Sequence, residues 1–547
     1  MAVAAISNNT DDKKALWLTF AVFLIYVGYS FVSKGLYQHD EIGHYLGMRD
    51  FWTNPNVILG NSAKTGYKLI YVIPALLGNK FLIYFNAALA ALTCFLTYKI
   101  ALKLGSKFAW LAFFMIALQP FWIQLSFRNY ADTFSGFILA ATLFFHYNKK
   151  YVAASLLLSF AGIVRQEFLL LIPIYGVWQA MNKRWICFFL LGLFPLANNI
   201  WGYLAFGEPL YLLTSSAKTA AKYADEYPRQ GFDHYFKLSI VIWGAAQCFL
   251  LLLFFLQFAA KRTNGFKKEE FQKDYPETKE NANSILFISI PFVIYFLLHC
   301  VFNWTSFKIG TATGGNLRYM TAVAPLVALL GAYANDQYKY ISKRTWIWVG
   351  TVVYMLLVVL FLSYHHNNVR LQTEPDPQTG EMPQHDYTPV LFSLAAIVSL
   401  LMISDGKKLI TSFTVIAALY ALLSVRPFKQ TPEDITMERV TNSLISKKYT
   451  EENRVIYVNH ILFKYFYDKK AHSVYKNQRF IDSLTMEEAP VGAIIVWDSH
   501  YGYRPKLNQY AVKPDYFTSR PDKYTLIQNQ ISSDNRFQAV MFEKTGK

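Results

Sequence analysis

The sequence has little charge for its length. Of its 547 residues, 16% are charged, whereas a typical soluble protein has about 25%. Hydrophobic residues make up 54% of the chain and aromatic residues 17%. A span of the bilayer needs roughly 20 mostly apolar residues, and the longest apolar runs cover 16–32, 81–98, 186–206, 238–260 and 345–364. This composition excludes a chain solvated mainly by water, and we predict a membrane protein with many spans.

Cysteine is also scarce. The four cysteines all fall in apolar segments, at positions Cys94, Cys187, Cys248 and Cys300. Their spacing fits no metal motif, and the water-exposed segments have no cysteine to pair, so we expect small buried thiols without disulfides. No glycine-rich phosphate loop precedes a helix. We find no internal repeat, and the first apolar run is long enough to be a retained anchor rather than a cleaved signal.

Basic residues are present in excess, with a formal net charge of +17. They concentrate in short loops between apolar runs: Lys13 and Lys14, Lys99 to Lys107, Lys149 and Lys150, Lys183 and Arg184, Lys261 to Lys273, Lys343 and Arg344, and Lys407 and Lys408. When alternate loops are assigned to the cytosol, all these clusters lie there, as the positive-inside rule requires. This distribution predicts about thirteen spans, a cytosolic amino terminus and an extracytoplasmic carboxyl-terminal segment, with no nucleic-acid partner.

The composition changes near residue 431. Residues 1–425 carry the apolar runs, whereas 431–547 have the composition of a soluble domain. In the second part, 454–460, 493–499, 524–530 and 537–544 have strand patterns, and 435–449 has apolar residues at helical spacing. The predicted fold class is therefore an all-α polytopic transmembrane bundle followed by a small extracytoplasmic α/β domain.

The segment HDEIGHY (39–45) follows the first span and opens an outer loop over 33–80. Asp40 and Glu41 stand where an amphipathic helix begins, with Ile42, Tyr45, Leu46 and Trp52 spaced for one buried face. Adjacent helical side chains point about 100° apart, so the two carboxylates would serve different tasks. One would accept a proton and the other would bind a cation or orient a neighbour. The alternative is an Asp helix cap followed by a first-turn Glu, which stabilises any helix start.

The predicted outer loops include a short one over 121–132 and another over 365–388. Three arginines are predicted on the outer side, where the positive-inside rule disfavours them: Arg128 in the loop over 121–132, Arg165 and Arg318. A guanidinium near the interface binds phosphate oxygens through a bidentate fork. The alternatives are snorkelling to lipid head groups and pairing with a carboxylate such as Asp132 or Glu167. Arginines and acids on one membrane face together suggest an anionic lipid-linked substrate.

Histidines flank the acidic pair. His39 and His44 are candidate contacts to substrate or to a divalent cation, but no ligand spacing selects a metal. The segment WDSHYGYR (497–504) contains Asp, Ser and His, yet a hydrolase triad is assembled around a nucleophile elbow that is missing here. We interpret this segment as a strand end and a turn that contacts substrate.

Several motifs together resemble the GT-C superfamily of membrane glycosyltransferases, which use polyprenyl- or dolichyl-phosphate sugars. HDEIGHY is similar to the Asp-Glu-x-x-Tyr signature of the protein O-mannosyltransferase and lipid A aminoarabinose transferase branches. The segments GIVRQEFLLLIP (162–173), WGYLAFGEPL (201–210) and GGNLRYMTAVAPLVALL (314–330) resemble conserved stretches of bacterial members. The prolines after Arg165 and before Asp40 in related motifs are absent here, so the resemblance names no family within the superfamily.

The resemblance implies that Asp40 is the catalytic base and that Glu41 supports it or helps bind a cation such as Mg²⁺ or Mn²⁺. It further implies that Arg128, Arg165 and Arg318 contact the donor phosphate, and that His39, His44, Asp132 and Glu167 are further substrate or cation contacts. The expected reaction is an inverting transfer of a sugar to a lipid, glycan or protein acceptor at the extracytoplasmic face.

The main alternative is a transporter or flippase of a lipid-linked or small substrate. It would predict ionisable residues near the midplane of the bilayer and inverted repeats. The charged residues instead concentrate at one interface, which favours an enzyme. A bacterial inner membrane is preferred over the endoplasmic reticulum.

Overall fold

The computed structural model describes residues 2–59, 64–222, 231–262, 266–270, 285–309, 315–341, 344–365, 387–403, 406–450, 454–505 and 508–546. Most of the basic segment after Lys261, and the outer loop predicted between 365 and 388, lie outside these residues.

The described chain is mostly helical up to residue 424. The α-helices of this part are α1 (Ala2–Val32), α2 (Asp40–Asp50), α3 (Thr65–Leu76), α4 (Asn79–Lys103), α5 (Ala109–Ala117), α6 (Pro120–Ser126), α7 (Ala131–Tyr147), α8 (Tyr151–Val164), α9 (Leu171–Met181), α10 (Trp185–Leu190), α11 (Leu193–Phe206), α12 (Tyr211–Lys222), α13 (His234–Trp243), α14 (Ala245–Arg262), α15 (Leu286–Ile309), α16 (Ala324–Gln337), α17 (Arg344–His365), α18 (Thr388–Met402) and α19 (Gly406–Ser424). Short 3₁₀ helices at Pro55–Ile58, Gln166–Leu170, Leu317–Val323 and Tyr338–Tyr340 connect some of them.

Seven of the described helical segments are long and apolar enough to cross a membrane, and a bent helix pair brings the number to eight. The chain is therefore a multi-pass membrane protein, as predicted. Three shorter apolar segments, α8 (Tyr151–Val164), the Leu286–Phe302 part of α15 and α18 (Thr388–Met402), fall below the length of a full span. The total of about thirteen spans stays a prediction.

The bent pair corrects one expectation. Residues 121–132 are predicted as a short outer loop, but α6 is a helix that begins at Pro120 and whose side chains are all buried. It meets α5 at 61°, because a residue that precedes proline avoids the α conformation and Gln119 is extended. Asn86 then caps α6 by donating to the carbonyl oxygens of Leu125 and Arg128 at 2.9 and 2.8 Å. These bonds fix the backbone next to Arg128.

The carboxyl-terminal part is an α/β unit, as predicted. Its helices are α20 (Pro432–Ser446), α21 (Ile461–Ala471), α22 (Ser483–Glu488) and α23 (Asp515–Thr518), and its strands are β1 (Ile456–Val458), β2 (Gln478–Arg479), β3 (Ile494–Asp498), β4 (Tyr524–Ile531) and β5 (Gln538–Lys544). The strand order is β2-β1-β3-β5-β4, with β1 parallel to β2 and β3, and β5 antiparallel to β3 and β4. The sheet is therefore mixed, and its central strand β3 is buried throughout.

The segment that leads into the α/β unit packs directly on the loop after the first span. The carbonyl oxygen of Phe428 accepts hydrogen bonds from the backbone N–H groups of Lys34 and Gly35, both at 3.0 Å. A Cβ atom at Gly35 would lie 1.9 Å from the carbonyl oxygen of Lys429, so only glycine permits this approach. Further along α2, Arg49 donates to Asp468 at 2.8 Å, and Tyr45 donates to the same carboxylate. These contacts hold α2 between the helical bundle and the α/β unit.

All four cysteines are buried and free. This result agrees with their prediction as small apolar residues of the spans.

Candidate active site

The site begins at the first turn of α2. His39 is the residue before the helix, and its side chain makes no capping bond, so Asp40 and Glu41 are the first two helical residues. Asp40 is therefore not the helix cap that we weighed as an alternative. Their side chains diverge, as helical geometry requires: the Asp40 side chain is 54% exposed and that of Glu41 is 3% exposed. The predicted buried face contains Ile42, Tyr45 and Leu46.

Trp52 does not belong to that buried face. Helix α2 ends at Asp50, and the Trp52 side chain is 53% exposed. The helix ends two residues before Trp52, so Trp52 does not continue the buried face that contains Tyr45.

Glu41 turns toward the helical bundle and pairs with Arg128. The carboxylate lies 3.7 Å from Arg128 Nη1 and accepts the backbone N–H of Tyr37 at 2.9 Å. Arg128 also donates to the carbonyl oxygen of Gly35 at 2.8 Å, and its guanidinium lies 4.2 Å from the ring centroid of Phe428. Burial raises the pKa of Glu41, whereas the charge of Arg128 lowers it, and burial prevails. This pair is closed to solvent on both sides.

Asp40 turns the other way and pairs with Arg318. Arg318 Nη2 lies 3.2 Å from Asp40 Oδ2, and Nη1 donates to Gln38 at 2.6 Å. The guanidinium lies 4.4 Å from the ring centroid of Tyr130, and the Arg318 side chain is 5% exposed. The arginine is therefore fixed and buried, while its partner carboxylate stays open to a ligand.

A second charged group lies nearby. Arg165 pairs with Asp132 and with Glu167, and its Nη2 donates to Glu167 at 2.6 Å. The Tyr319 ring contacts both arginines: its centroid lies 4.7 Å from the guanidinium of Arg165 and 5.7 Å from that of Arg318. The pairing alternative that we weighed for Arg165 is thus the arrangement in the structure.

Two lysines that were not predicted as site residues join this site. Lys64 and Lys68 are buried at the start of α3. Burial lowers the pKa of Lys64 to about 8, and the charges of Arg318, Asp132, Arg165 and Asp40 also act on it. Among the described residues, the Lys64 ammonium has no hydrogen-bond or ion-pair partner. A buried cation of this kind is suited to an anionic ligand.

His44 lies one turn after Asp40. Its ring centroid is 5.9 Å from that of Tyr67 and 6.1 Å from that of Tyr130, with the rings in edge-to-face geometry. Within the described part of the chain, neither of its ring nitrogens has a hydrogen-bond partner. Burial lowers the pKa of His44 well below its ordinary value, and the charges of Lys64, Lys68 and Arg318 add to this effect. His44 is therefore a neutral imidazole that can donate or accept a hydrogen bond toward a ligand.

His39 faces away from these residues, toward the α/β unit. It approaches three side chains of that unit: Glu433, His460 and His500. Burial opposes ionisation of Glu433, but the hydrogen bonds from His460 and His500 outweigh burial and hold its pKa well below the ordinary value. The sequence motif WDSHYGYR therefore supplies His500 to a polar cluster, and its Ser499 hydroxyl accepts the backbone N–H of Gln538 at 3.0 Å.

Sequence comparison finds no relative: no family model and no curated protein sequence matches the chain. Structural comparison does find similar folds. The crystal structure of ArnT from Cupriavidus metallidurans bound to undecaprenyl phosphate matches with a TM-score of 0.56 at 12% sequence identity, over 96% of this chain and 97% of ArnT. The chain has the ArnT fold. The apo structure of ArnT matches with a TM-score of 0.49 at 13% identity, also over 96% and 97% of the two chains.

The match to ArnT confirms the predicted fold class, a multi-span helical bundle followed by an α/β unit. It includes the α/β unit, since almost the whole length of both chains is covered. At 12% identity the ArnT match carries no information on individual side chains, so the roles of the residues above rest on their geometry.

Lys64 and Lys68 carried a signal that sequence reasoning could have used. They lie in the predicted outer loop 33–80, where the positive-inside rule disfavours lysine as much as arginine. Glu433 and His460 carried no comparable signal, because only the packing of the α/β unit on α2 brings them near His39.

Proposed function

We propose that this protein is a membrane glycosyltransferase that moves a sugar from a polyprenyl-phosphate donor to a hydroxyl of a lipid, glycan or protein acceptor. The observation that carries the proposal is the open Asp40–Arg318 pair beside the buried Lys64. It combines one accessible carboxylate with fixed cations, in a chain that shares the ArnT fold. The ArnT structure contains undecaprenyl phosphate, and a lipid phosphate is the ligand that such cations suit.

The cationic side of the site would bind the donor phosphate. Arg318 offers a fork of N–H donors, and Lys64 supplies a point charge beside it. His44 lies within the same group and offers a neutral hydrogen bond. Arg165 is already paired with the Asp132 and Glu167 carboxylates, so we assign it to shaping the electrostatic field around the phosphate.

Asp40 would act as the general base. The acceptor oxygen attacks the anomeric carbon, and its proton passes to the Asp40 carboxylate. The bond between the anomeric carbon and the phosphate oxygen breaks, and the electron pair of that bond goes to the phosphate. Arg318 and Lys64 stabilise the charge that develops on the leaving phosphate. Attack from the face opposite the phosphate inverts the anomeric configuration.

The closed Glu41–Arg128 pair has a different part in this proposal. Both groups are buried and paired, so Glu41 would support Asp40 by fixing the first turn of α2. Arg128 was predicted as a phosphate ligand. We propose that its first task is to hold Glu41 and the Gly35 carbonyl, which leaves the phosphate to Arg318 and Lys64.

The proposed orientation puts the amino terminus in the cytosol and the α/β unit outside, with the site at the outer interface of a bacterial inner membrane. This arrangement keeps the basic loops in the cytosol. It also lets the polyprenyl tail of the donor stay in the bilayer while its phosphate reaches Arg318.

The test uses the full chain in lipid nanodiscs with a panel of undecaprenyl-phosphate sugars that are labelled in the sugar. We expect at least one donor to lose its label to an acceptor extract of the bacterial envelope, with release of one undecaprenyl phosphate for each sugar transferred. A flippase would move the labelled lipid across vesicles with its sugar–phosphate bond intact. That outcome, with no cleavage for any donor, would contradict the proposal.

A further inference from the structure

Four metal-ligating side chains meet between the start of α2 and the α/β unit. They are His39, Glu433, His460 and His500, and one ligand atom from each lies within 4.8 Å of all the others. His39 comes from the loop that follows the first span, whereas the other three come from the first turn of α20, the residue before α21 and the turn after β3. The donor-binding residues proposed above lie outside this cluster.

The three imidazoles surround a single carboxylate oxygen. His460 Nε2 and His500 Nδ1 each lie 2.7 Å from Glu433 Oε1, and His39 Nδ1 lies 4.0 Å from the same atom. The ring centroids of the three histidines are 5.4, 5.7 and 6.1 Å apart. The rings thus form a nearly equilateral triangle, with the carboxylate between them.

We propose that this cluster is a zinc site with the ligands His39 Nδ1, His460 Nε2, His500 Nδ1 and Glu433 Oε1. Four-coordinate zinc binds nitrogen and oxygen at about 2.0–2.2 Å, which separates neighbouring ligand atoms by roughly 3.4 Å. The distances from Glu433 Oε1 to the three nitrogens, 2.7, 2.7 and 4.0 Å, lie on both sides of this value, so binding requires the side chains to shift. A set of three imidazoles and one carboxylate suits Zn²⁺, whereas Mg²⁺ requires oxygen ligands.

The surroundings support this ligand set. The other ring nitrogen of His39, Nε2, lies 3.3 Å from Asp434 Oδ1, which is the carboxylate–histidine arrangement that orients metal ligands. Asp434 is itself fixed, because its carboxylate accepts the N–H of Thr431 at 3.0 Å in the capping box of α20. The His500 side chain is 33% exposed, and this provides a path for the ion from solvent.

Zinc binding requires two small rearrangements. The Tyr501 hydroxyl lies 3.0 Å from His39 Nδ1 and has to release that nitrogen. The backbone N–H of Leu462 lies 3.3 Å from His460 Nδ1, which carries the proton when Nε2 binds metal, so the ring has to turn slightly. Both contacts are local, and neither involves Asp40.

A site with four protein ligands leaves no open position for a reacting water, which is typical of structural zinc. Here it would cross-link the residue before Asp40 to the α/β unit. Because the ligands come together only in the folded chain, zinc would stabilise that packing in proportion to its binding. This inference does not depend on the proposed transferase activity.

The experiment measures zinc on the full chain in detergent, purified without a polyhistidine tag and stripped with EDTA. After addition of ZnCl₂ and desalting, plasma mass spectrometry should count about one zinc per chain. His500→Ala removes the most exposed ligand and should reduce the count to near zero. His472→Ala is the matched control, because His472 is exposed and lies outside the cluster, and it should keep the wild-type count.

Two further readouts keep the result decisive. Asp434→Asn retains the shape of the helix cap and should weaken zinc binding about 10- to 100-fold, as outer-shell changes do. Zinc should raise the unfolding temperature of the wild type and of His472→Ala, but not that of His500→Ala. No bound zinc in the wild type, or equal zinc in wild type and His500→Ala, would show a hydrogen-bonded cluster only and overturn the proposal.

Discussion

Two ion pairs start from adjacent residues of α2, and they differ in exposure. Glu41 and Arg128 are 3% and 4% exposed, whereas Asp40 is 54% exposed beside a buried Arg318. The closed pair bonds to backbone groups of the loop that enters the helix, and the open pair borders Lys64 and His44. Both are carboxylate–guanidinium pairs. The pair of Glu41 stabilises the fold, whereas the pair of Asp40, the adjacent residue, offers a ligand site.

This contrast predicts different consequences for the two carboxylates. A buried ion pair that loses one partner leaves an uncompensated charge, so Glu41 should matter for stability. An exposed carboxylate contributes little to stability, so Asp40 should matter for turnover.

The largest effect is expected for Asp40→Asn. The variant keeps the size of the side chain but cannot accept the acceptor proton, so sugar transfer should fall by about 10²–10⁴-fold, the usual contribution of a general base. Its unfolding temperature should stay near that of the wild type. Asp50→Asn, the same change at the other end of α2, is the control and should keep most of the activity. Wild-type turnover in Asp40→Asn would refute the role of this residue.

Glu41→Gln should instead destabilise the protein. It leaves the buried Arg128 without its counter-charge, and breaking such a pair costs about 3–5 kcal/mol. The measurement is thermal unfolding in detergent, beside Asp40→Asn. Adding Arg128→Met to Glu41→Gln removes the unpaired charge and should recover part of the loss. Equal unfolding temperatures of Glu41→Gln and Asp40→Asn would contradict the claim that the Glu41–Arg128 pair stabilises the fold more than the Asp40–Arg318 pair does.

Arg318→Lys tests whether the fork matters in addition to the charge. Lysine keeps the positive charge but loses the bidentate geometry, so kcat/KM for the donor should fall roughly tenfold or more. The effect should be larger than that of Lys80→Arg, since Lys80 is exposed at the start of α4. An unchanged kcat/KM in Arg318→Lys would assign the phosphate to other residues.

The smallest expected effect is a pH dependence. Burial lowers the pKa of Lys64 to about 8, so this lysine loses its positive charge as the pH rises through that value. Donor KM should therefore increase several-fold between pH 7 and pH 9.5, and the increase should shrink in Lys64→Arg, which stays charged. A KM that rises equally in both proteins would assign the titration to another group.

The sequence predicts the fold class well and the site only in part. Apolar runs, basic loops and the composition change near 431 were enough to predict a multi-pass bundle with an α/β unit. Segments in lipid and segments in water differ so strongly in composition that the sequence alone separates them. The divergence of Asp40 and Glu41 also followed from helix geometry alone. The loop predicted at 121–132 is instead the buried helix α6, since apolar residues in a short segment do not distinguish a loop from a bent helix.

The contacts across the chain needed the structure. Nothing in the local pattern links Arg318 to Asp40 or Arg128 to Glu41, because these partners meet through the packing of separate helices. The cluster of His39 with Glu433, His460 and His500 likewise depends on how the α/β unit packs on α2. Local sequence thus predicted which residue types carry chemistry, and tertiary packing decided their partners.

Binding of undecaprenyl phosphate tests the central claim most directly, because it requires no knowledge of the sugar or the acceptor. Affinity would be measured on the full chain in nanodiscs for the wild type, Arg318→Gln and the charge-matched control Lys80→Gln. The open pair predicts saturable binding by the wild type and Lys80→Gln, with affinity at least tenfold weaker in Arg318→Gln. Equal affinity in all three proteins, or no binding at all, would contradict the assignment of this site to a lipid phosphate.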